Sequence, residues 1–449
     1  MENSPGERLP AARRLYYGWV VAALSFFTVA LSATVQQSFI VIFPAMLKEF
    51  DWSRTVFSLA PALFGLVLSC NAFVVGILSD RVDIKRLIPF GAAVSAAGLV
   101  LCFFIRDLWQ MIVFFGVLCA IGGGGISLLP NTIIISNWFV RMRGTAIGII
   151  ASGSGAGTLA LIPLLQLAIN AWSWRAGYLA MALIVGPVLI PLIVLFQKSH
   201  PAAMGLKALE DGPRSAEPVV STLSESLSDS VAAAVSESSA PPGSGRLSSR
   251  DVLYSLFRNR RFWLCVFQYI LGPLSTMPII THQAALLQGK GLSGMGSAVV
   301  VGLYGFSVFC GMIVSGALSD RIGREWSYTA GTLSILVGTL FLLFVPSGTG
   351  LGLPFCYAVF FGLGFGTRPS MDSATAADIF KGRYFGLIFG VLQLALGIGL
   401  FGGPILGGFV YDRSGSYTAA IVFCMVAVVV ATVCIWAAAP RHGREPSLV

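Results

Sequence analysis

Charged side chains are scarce in this sequence: Asp, Glu, Lys and Arg make up 11% of its 449 residues, where a globular domain carries about 25%. Length alone suggests about three soluble domains at roughly 150 residues each, but so little charge cannot cover three water-soluble surfaces. The eight cysteines, Cys70 to Cys434, all fall inside apolar stretches with no C-x-x-C pair. That argues against a disulfide framework or a zinc site and leaves them as small buried hydrophobes. A basic stripe interleaved with stacking aromatics on a solvated face is also missing, so the formal charge of +9 does not indicate nucleic-acid binding. No metal-ligand cluster or phosphate-cradling loop stands outside the apolar stretches, so no cofactor and no enzyme chemistry are expected. Nor is a cleavable signal, because the apolar run after Arg13 and Arg14 is 33 residues long, against about 7 to 15 for a signal core.

What the sequence does have is apolar length. Hydrophobic residues make up 56% of it, and a helix crosses about 30 Å of hydrocarbon with some 20 residues. Charge-free intervals of at least 19 residues run over 15–47, 55–79, 87–105, 108–140, 144–174, 176–197, 262–289, 291–319, 326–367, 384–411 and 414–440. The interval 326–367 is too long for one span. A turn cluster, Pro346-Ser-Gly-Thr-Gly-Leu-Gly-Leu-Pro354, divides it into helix 9 and the start of helix 10. Twelve helices result. Strands do not fit, because a barrel alternates over roughly ten-residue segments whereas these runs are continuously apolar. With the N-terminus in the cytoplasm, 22 Lys and Arg fall on cytoplasmic segments and six outside, the orientation that the positive-inside rule selects. The expectation is an all-α membrane protein of the plasma (inner) membrane with both termini cytoplasmic.

The chain is duplicated. Gly76-Ile-Leu-Ser-Asp80-Arg81 after helix 2 recurs as Gly316-Ala-Leu-Ser-Asp320-Arg321-Ile-Gly323-Arg324 after helix 8, 240 residues later. Ser53 and Ser293, Phe139 and Phe380, Arg143 and Arg383, Gly148 and Gly390, and Tyr178 and Tyr417 keep nearly the same offset. Two pseudo-symmetric six-helix bundles are therefore expected, at 1–197 and 262–449, joined by a cytoplasmic linker at 198–261. The middle of the linker, 215–250, is rich in Ser, Ala, Pro and Glu and has no aromatic residue, a composition that disfavours order. Arg250 to Arg261 alternates basic and apolar faces and reads as a short interfacial helix.

The paired G-x-L-S-D-R turns resemble the signature of the major facilitator superfamily, where it lies between the second and third helix of each half. That resemblance implies a transporter working by alternating access. An Asp at one helix end can accept hydrogen bonds from a neighbouring helix N-terminus, and the adjacent Arg can pair with a carboxylate of the other half. Asp80, Arg81, Asp320, Arg321 and Arg324 are thus expected as gating residues, with Asp378 as a further charge at the same end. Trp138-Phe139-Val-Arg-Met-Arg143-Gly144, continuing through Ser152-Gly153 to Gly157, resembles the helix 4 to helix 5 segment of monocarboxylate porters and their bacterial relatives. Its small residues favour close helix contact. The chain differs from those porters in helix 1, where Tyr16-Tyr17-Gly18-Trp19 has no acidic residue, and in helix 8, which lacks their Asp and Arg.

A charge within a span costs some 2.5 to 3.5 kcal/mol on insertion scales, so it marks a functional position. Arg368 and Asp372 qualify, four residues apart on one face of helix 10. Arg368 is expected to anchor an anion and Asp372, or His282 of helix 7, to carry a proton. Neutral polar residues expected to contribute to binding are Gln36 and Gln37 in helix 1, Asn131 in helix 4, Gln268 and Tyr269 in helix 7, and Tyr304 in helix 8. The function expected is proton-coupled uptake of a small organic anion, a carboxylate, by a protein acting as a monomer in the bilayer. The alternatives are a proton-exchanging exporter of drug-like or aromatic compounds and an importer of a vitamin-like solute. Ala151 to Gly157 lacks the G-P motif that exporters carry in helix 5, whereas Gly402-Gly403-Pro404 in helix 11 keeps export open.

Overall fold

The computed structural model describes residues 16–81, 83–139, 143–201, 258–348, 350–380 and 385–438. Within them the chain forms twelve long helices. The first six are α1 (Gly18–Glu49), α2 (Arg54–Arg81), α3 (Ile84–Phe103), α4 (Leu108–Trp138), α5 (Arg143–Ala171) and α6 (Trp174–Phe196). After the linker come α7 (Arg260–Gly289), α8 (Gly294–Ile322), α9 (Arg324–Leu343), α10 (Gly352–Ile379), α11 (Phe385–Ser414) and α12 (Thr418–Ala438). Each is an apolar run that satisfies its own backbone hydrogen bonds, the requirement of a segment surrounded by lipid. Eleven are long and apolar enough to cross a membrane. The exception is α10, which is long enough but carries Arg368, Asp372 and Asp378 together with four Ser and Thr residues. Residues 202–257, which include most of the linker and of the expected interfacial helix, lie outside the described residues.

The duplication is visible in three dimensions. Ser53 Oγ accepts from the Val56 backbone N–H at 3.3 Å and Ser293 Oγ from that of Gly296 at 3.0 Å, so paired serines begin α2 and α8 with the same cap. The burial pattern along 91–105 is repeated position for position along 331–345, so α3 and α9 occupy equivalent places in their halves. Two local departures fall in the N-terminal half: α4 and α6 contain π-helical turns at Ile112–Cys119 and Ile184–Leu189.

Small residues set the close helix contacts, both within a half and across the seam between the halves. A methyl group placed on Gly157 of α5 would lie 2.5 Å from the Ala30 carbonyl oxygen and 2.7 Å from its Cα, so α1 and α5 touch backbone to backbone, the contact that the small-residue run predicts. On its other side α5 meets α8, where Gly155 faces Phe309 and Thr158 faces Gly305. A second contact joins α2 to α11 from Arg54 and Gly408 at one end to Ser69 and Gly397. Beyond that level, toward the end bearing the duplicated turns, Cys70 and Val74 of α2 are exposed.

Candidate solute cavity and its gates

A cavity of about 230 Å³ lies at the seam, smaller than the roughly 300 to 1,000 Å³ of drug-sized sites. Both halves line it: α1, α2, α4 and α5 from one, α7, α8, α10 and α11 from the other. Phe39, Phe64, Phe115 and Phe365 give it aromatic walls, and among the described residues no charged side chain reaches it. Its polar groups are Gln36, Gln37, Ser154, Thr158, Thr281 and Tyr304. Three of these, Gln36, Gln37 and Tyr304, are among the residues that the sequence singles out. The Ser154 and Thr158 hydroxyls donate to carbonyls of their own helix at 2.8 Å, which leaves them only as acceptors. Thr281, Ser154 and Thr158 had no sequence signal, because a hydroxyl in an apolar helix is ordinary.

Arg368 and Asp372 lie elsewhere. Both are buried, but neither lines the seam cavity, and they form no ion pair with each other: among the described residues the salt bridges are Arg175–Glu49 and Arg324–Asp378. The Arg368 guanidinium lies 4.2 Å over the Tyr328 ring of α9, donates to the Tyr328 hydroxyl and reaches Thr332 Oγ1 at 3.2 Å. Gln268 Nε2 donates to Asp372 Oδ1 at 2.7 Å and to the Tyr328 hydroxyl at 3.2 Å. Tyr328 and Gln268 thus bridge the two charges, tying α7, α9 and α10 into one buried knot. Helical spacing does place both charges on one face, but the aromatic ring of α9 offers the guanidinium a cation–π contact and a hydroxyl together, and the long side chain folds onto it. Tyr328 has no charge to mark it in the sequence. Among the described residues the guanidinium Nε and the Tyr269 hydroxyl are buried without a partner, and Tyr269 lines a small crevice with Gln268 and Asp372.

Asn131 is also away from the cavity. It is fully buried, donates to the Ile126 and Ser127 carbonyls at 3.3 and 2.8 Å where α4 is interrupted, and accepts from Gln197 at 3.3 Å. Gln197 also donates to Ser25 at 3.1 Å. These amides stitch α1, α4 and the end of α6 together, which gives the N-terminal half a neutral polar knot where the C-terminal half has a charged one.

One end of the seam is closed by a dense polar contact. Asp412 of α11 accepts from the Arg54 backbone N–H at 3.1 Å, the Thr55 N–H at 2.9 Å and the Thr55 hydroxyl at 2.6 Å. A carboxylate from one half therefore caps the N-terminus of α2 in the other, where the helix dipole favours negative charge. The Arg54 guanidinium stacks 3.6 Å over Tyr411 and donates to the Tyr417 hydroxyl at 2.5 Å. His282 completes the contact: its Nε2 lies 3.1 Å from both Ser58 Oγ and the Pro404 carbonyl oxygen, and its Nδ1 lies 3.1 Å from the Tyr417 hydroxyl. A carbonyl oxygen only accepts, so the network assigns the ring proton to Nε2 and leaves Nδ1 to accept from Tyr417. Arg54 and Asp412 carry no sequence mark, because charge at a helix end is ordinary, and Tyr417 is marked only as the counterpart of Tyr178 in the repeat.

At the opposite end Arg324 Nε pairs with Asp378 at 3.1 Å and Arg324 also donates to Ser319 at 3.2 Å. This pair joins α9 to α10 within one half. Arg321 is exposed, and the side chains of Asp80, Arg81 and Asp320 lie outside what the structure describes.

Two helical halves of one repeat, enclosing a cavity on their shared seam, define a multi-pass membrane transporter. The chain belongs to the Major Facilitator Superfamily, whose model matches residues 24–375, a family of transporters rather than enzymes. It is similar to human Monocarboxylate transporter 11, with 26% identity over 426 residues that span 90% of this chain and 79% of that protein. Rat (Rattus norvegicus) Monocarboxylate transporter 12 is 21% identical over 93% of this chain and 84% of its own. Riboflavin transporter MCH5 of Saccharomyces cerevisiae is 23% identical over 83% and 68%. In fold, the chain resembles a bacterial homolog of the human lysosomal transporter Spinster. The inward-facing unoccupied form gives a TM-score of 0.66 at 14% identity over 96% of this chain and 100% of that one. The occupied inward-facing form gives 0.67 at 16% identity, covering 95% and 97%.

Proposed function

We propose that the protein is a proton-coupled importer of a small organic acid that binds in the seam cavity and crosses by alternating access. The observation that carries this reading is a cavity walled by both halves and sealed at one end by contacts that run between them. Rocking the halves would break the Asp412 and His282 contacts and open the cavity on that side. By the balance of basic residues the sealed end faces outward and the end bearing the duplicated turns faces the cytoplasm, where Asp80, Arg81, Asp320 and Arg321 would serve as the opposing gate. Likeness to monocarboxylate transporters supports the acid, and likeness to a riboflavin transporter suits the four aromatic walls.

A second reading has one observation of its own. The buried, unpartnered Nε of Arg368 has an N–H to offer an anion, with Asp372 then taking the proton. The two readings separate in a thermal-shift screen of the purified protein against monocarboxylic acids, aromatic acids and vitamins. Bound ligand stabilises by about 2.7 kcal/mol at a hundredfold excess over Kd. Loss of that stabilisation in Gln36→Met with Gln37→Met assigns the solute to the seam, whereas loss in Arg368→Gln assigns it to the α10 knot. In proteoliposomes the same ligand should accumulate under an inward proton gradient. Uptake indifferent to that gradient would remove proton coupling from the proposal.

A further inference from the structure

We infer that the seam cavity takes its solute uncharged, so that an organic acid enters as the protonated acid and the coupling proton travels on the solute itself. This rests on the reading that an organic acid occupies the seam. It names a recognition element, a carboxamide edge, and the chemical form that this edge selects.

Among the described residues the cavity has no counter-charge to offer an anion. From α1 it receives no charged residue, since none lies between Gly18 and Met46, and α4, α5 and α8 contribute Phe115, Ser154, Thr158, Tyr304, Gly305 and Val308. Among the described residues, the charged groups and the histidine of the remaining lining helices do not line the cavity, and those nearest the seam or within the spans are held by other partners. Arg54 of α2 lies on Tyr411 and Tyr417, and Asp412 of α11 caps α2. Both ring nitrogens of His282 on α7 have partners, and Arg368 and Asp372 of α10 are held by Tyr328 and Gln268. Moving a carboxylate out of water into such surroundings without a partner carries a large desolvation penalty, which is removed by taking up a proton.

Two of the groups left free, the carboxamides of α1, fit the protonated form. Among the described residues no hydrogen bond engages the side chains of Gln36 and Gln37, both of which reach the cavity. A carboxamide presents an acceptor oxygen and a donor N–H side by side in one plane. A protonated carboxyl presents the complementary edge, its O–H toward the amide oxygen and its carbonyl toward the amide N–H, and the two hydrogen bonds close a ring. A carboxylate has only acceptors, so one of its oxygens would face the amide oxygen and lose a bond. Ser154 and Thr158, already donating to their own helix, are acceptors only and likewise disfavour an anion. The phenyl rings favour a flat solute.

The consequence is coupling by linkage. If only the protonated acid binds, one proton crosses with each acid, taken from water on the outer side and released to water inside, and no side chain has to carry it. Apparent affinity then follows the acid's own ionisation, weakening about tenfold for each pH unit above its pKa. A primary amide, which presents the same donor–acceptor edge without ionising, binds equally across that range.

Three probes of one shape test this on the full chain: benzoic acid, benzamide and benzenesulfonate, with Kd measured from about pH 5 to 8. The expected result is tenfold weakening per pH unit for benzoic acid, no pH dependence for benzamide, and no binding of the sulfonate, which stays ionised throughout. Gln36→Met with Gln37→Met should weaken benzoic acid and benzamide together, and circular dichroism with the unfolding temperature confirms that this variant folds. Sulfonate binding as tight as that of benzoic acid overturns the inference while leaving the organic-acid reading in place, as does benzoate affinity flat with pH. Failure of every carboxylic acid to bind at any pH removes the organic-acid reading itself and takes the inference with it.

Discussion

Arg368 illustrates how a sequence can reveal a residue by its cost without revealing its contacts. A charge in an apolar helix is visible in any sequence because burial is expensive, and helical spacing supplies Asp372 as the obvious partner. The guanidinium instead takes the face and hydroxyl of Tyr328, a residue 40 positions away. Tyr328→Phe keeps the ring but removes the hydroxyl, which leaves an N–H of a buried cation unsatisfied, so unfolding in detergent should become easier by about 1.5 to 3 kcal/mol. An unfolding midpoint equal to that of the wild type would show that the hydroxyl contributes nothing to the knot. Asn131 teaches the same lesson with a neutral group. Its polarity is legible in the sequence, but its use, tying an interrupted α4 to Gln197, depends on which helix lies opposite.

At the scale of the helices the sequence was far more informative. Length and apolarity suffice to find them, because lipid demands a self-satisfied backbone and only a helix of some 20 residues meets that demand. The small-residue run of α5 also reads correctly as a close contact, with Gly153 and Gly157 against α1 and Gly155 against α8. Gly157→Leu should force α1 and α5 apart, since the clash is with Ala30 backbone that has nowhere to yield. The expected loss is about 1 to 3 kcal/mol, measured as a lower unfolding temperature in detergent. An unchanged temperature would mean that the two helices are not held at this distance. The difference between α10 and the other eleven helices has a physical reason too: α10 is packed against α8 and α9, where its polar residues find protein partners instead of lipid.

Across the whole molecule the deciding feature is which contacts run between the halves. Asp412 donates no side chain to the cavity, yet it holds the N-terminus of α2 from the opposite half. Asp412→Asn keeps the shape and removes the charge, which should weaken the closed end by about 1 to 2 kcal/mol and shift the closed-to-open ratio roughly 5- to 30-fold. Labelling of a cysteine introduced at Ala33, on the cavity wall, reports the change from the Asp412 side. Labelling as slow as in the protein with Asp412 intact would show that this contact is not a latch.

The sequence by itself determined the solvent, the number of helices and the repeat. Each of these follows from local composition or from comparing the chain with itself: scarce charge cannot cover a wet surface, and a duplicated turn 240 residues apart marks two copies of one unit. It also identified Gln36, Gln37 and Tyr304, polar groups in helices that meet the cavity. Only the tertiary structure decided that the two buried charges of α10 turn into their own half, that His282 spans the seam, and that Asp412 closes one end. The reason is that a helical sequence records which residues share a face, while the direction of that face is set by rotation about the helix axis. That rotation is fixed by contacts such as Gly157 on Ala30 and Gly408 on Arg54, made between residues more than a hundred positions apart, and so it is read only where the helices meet.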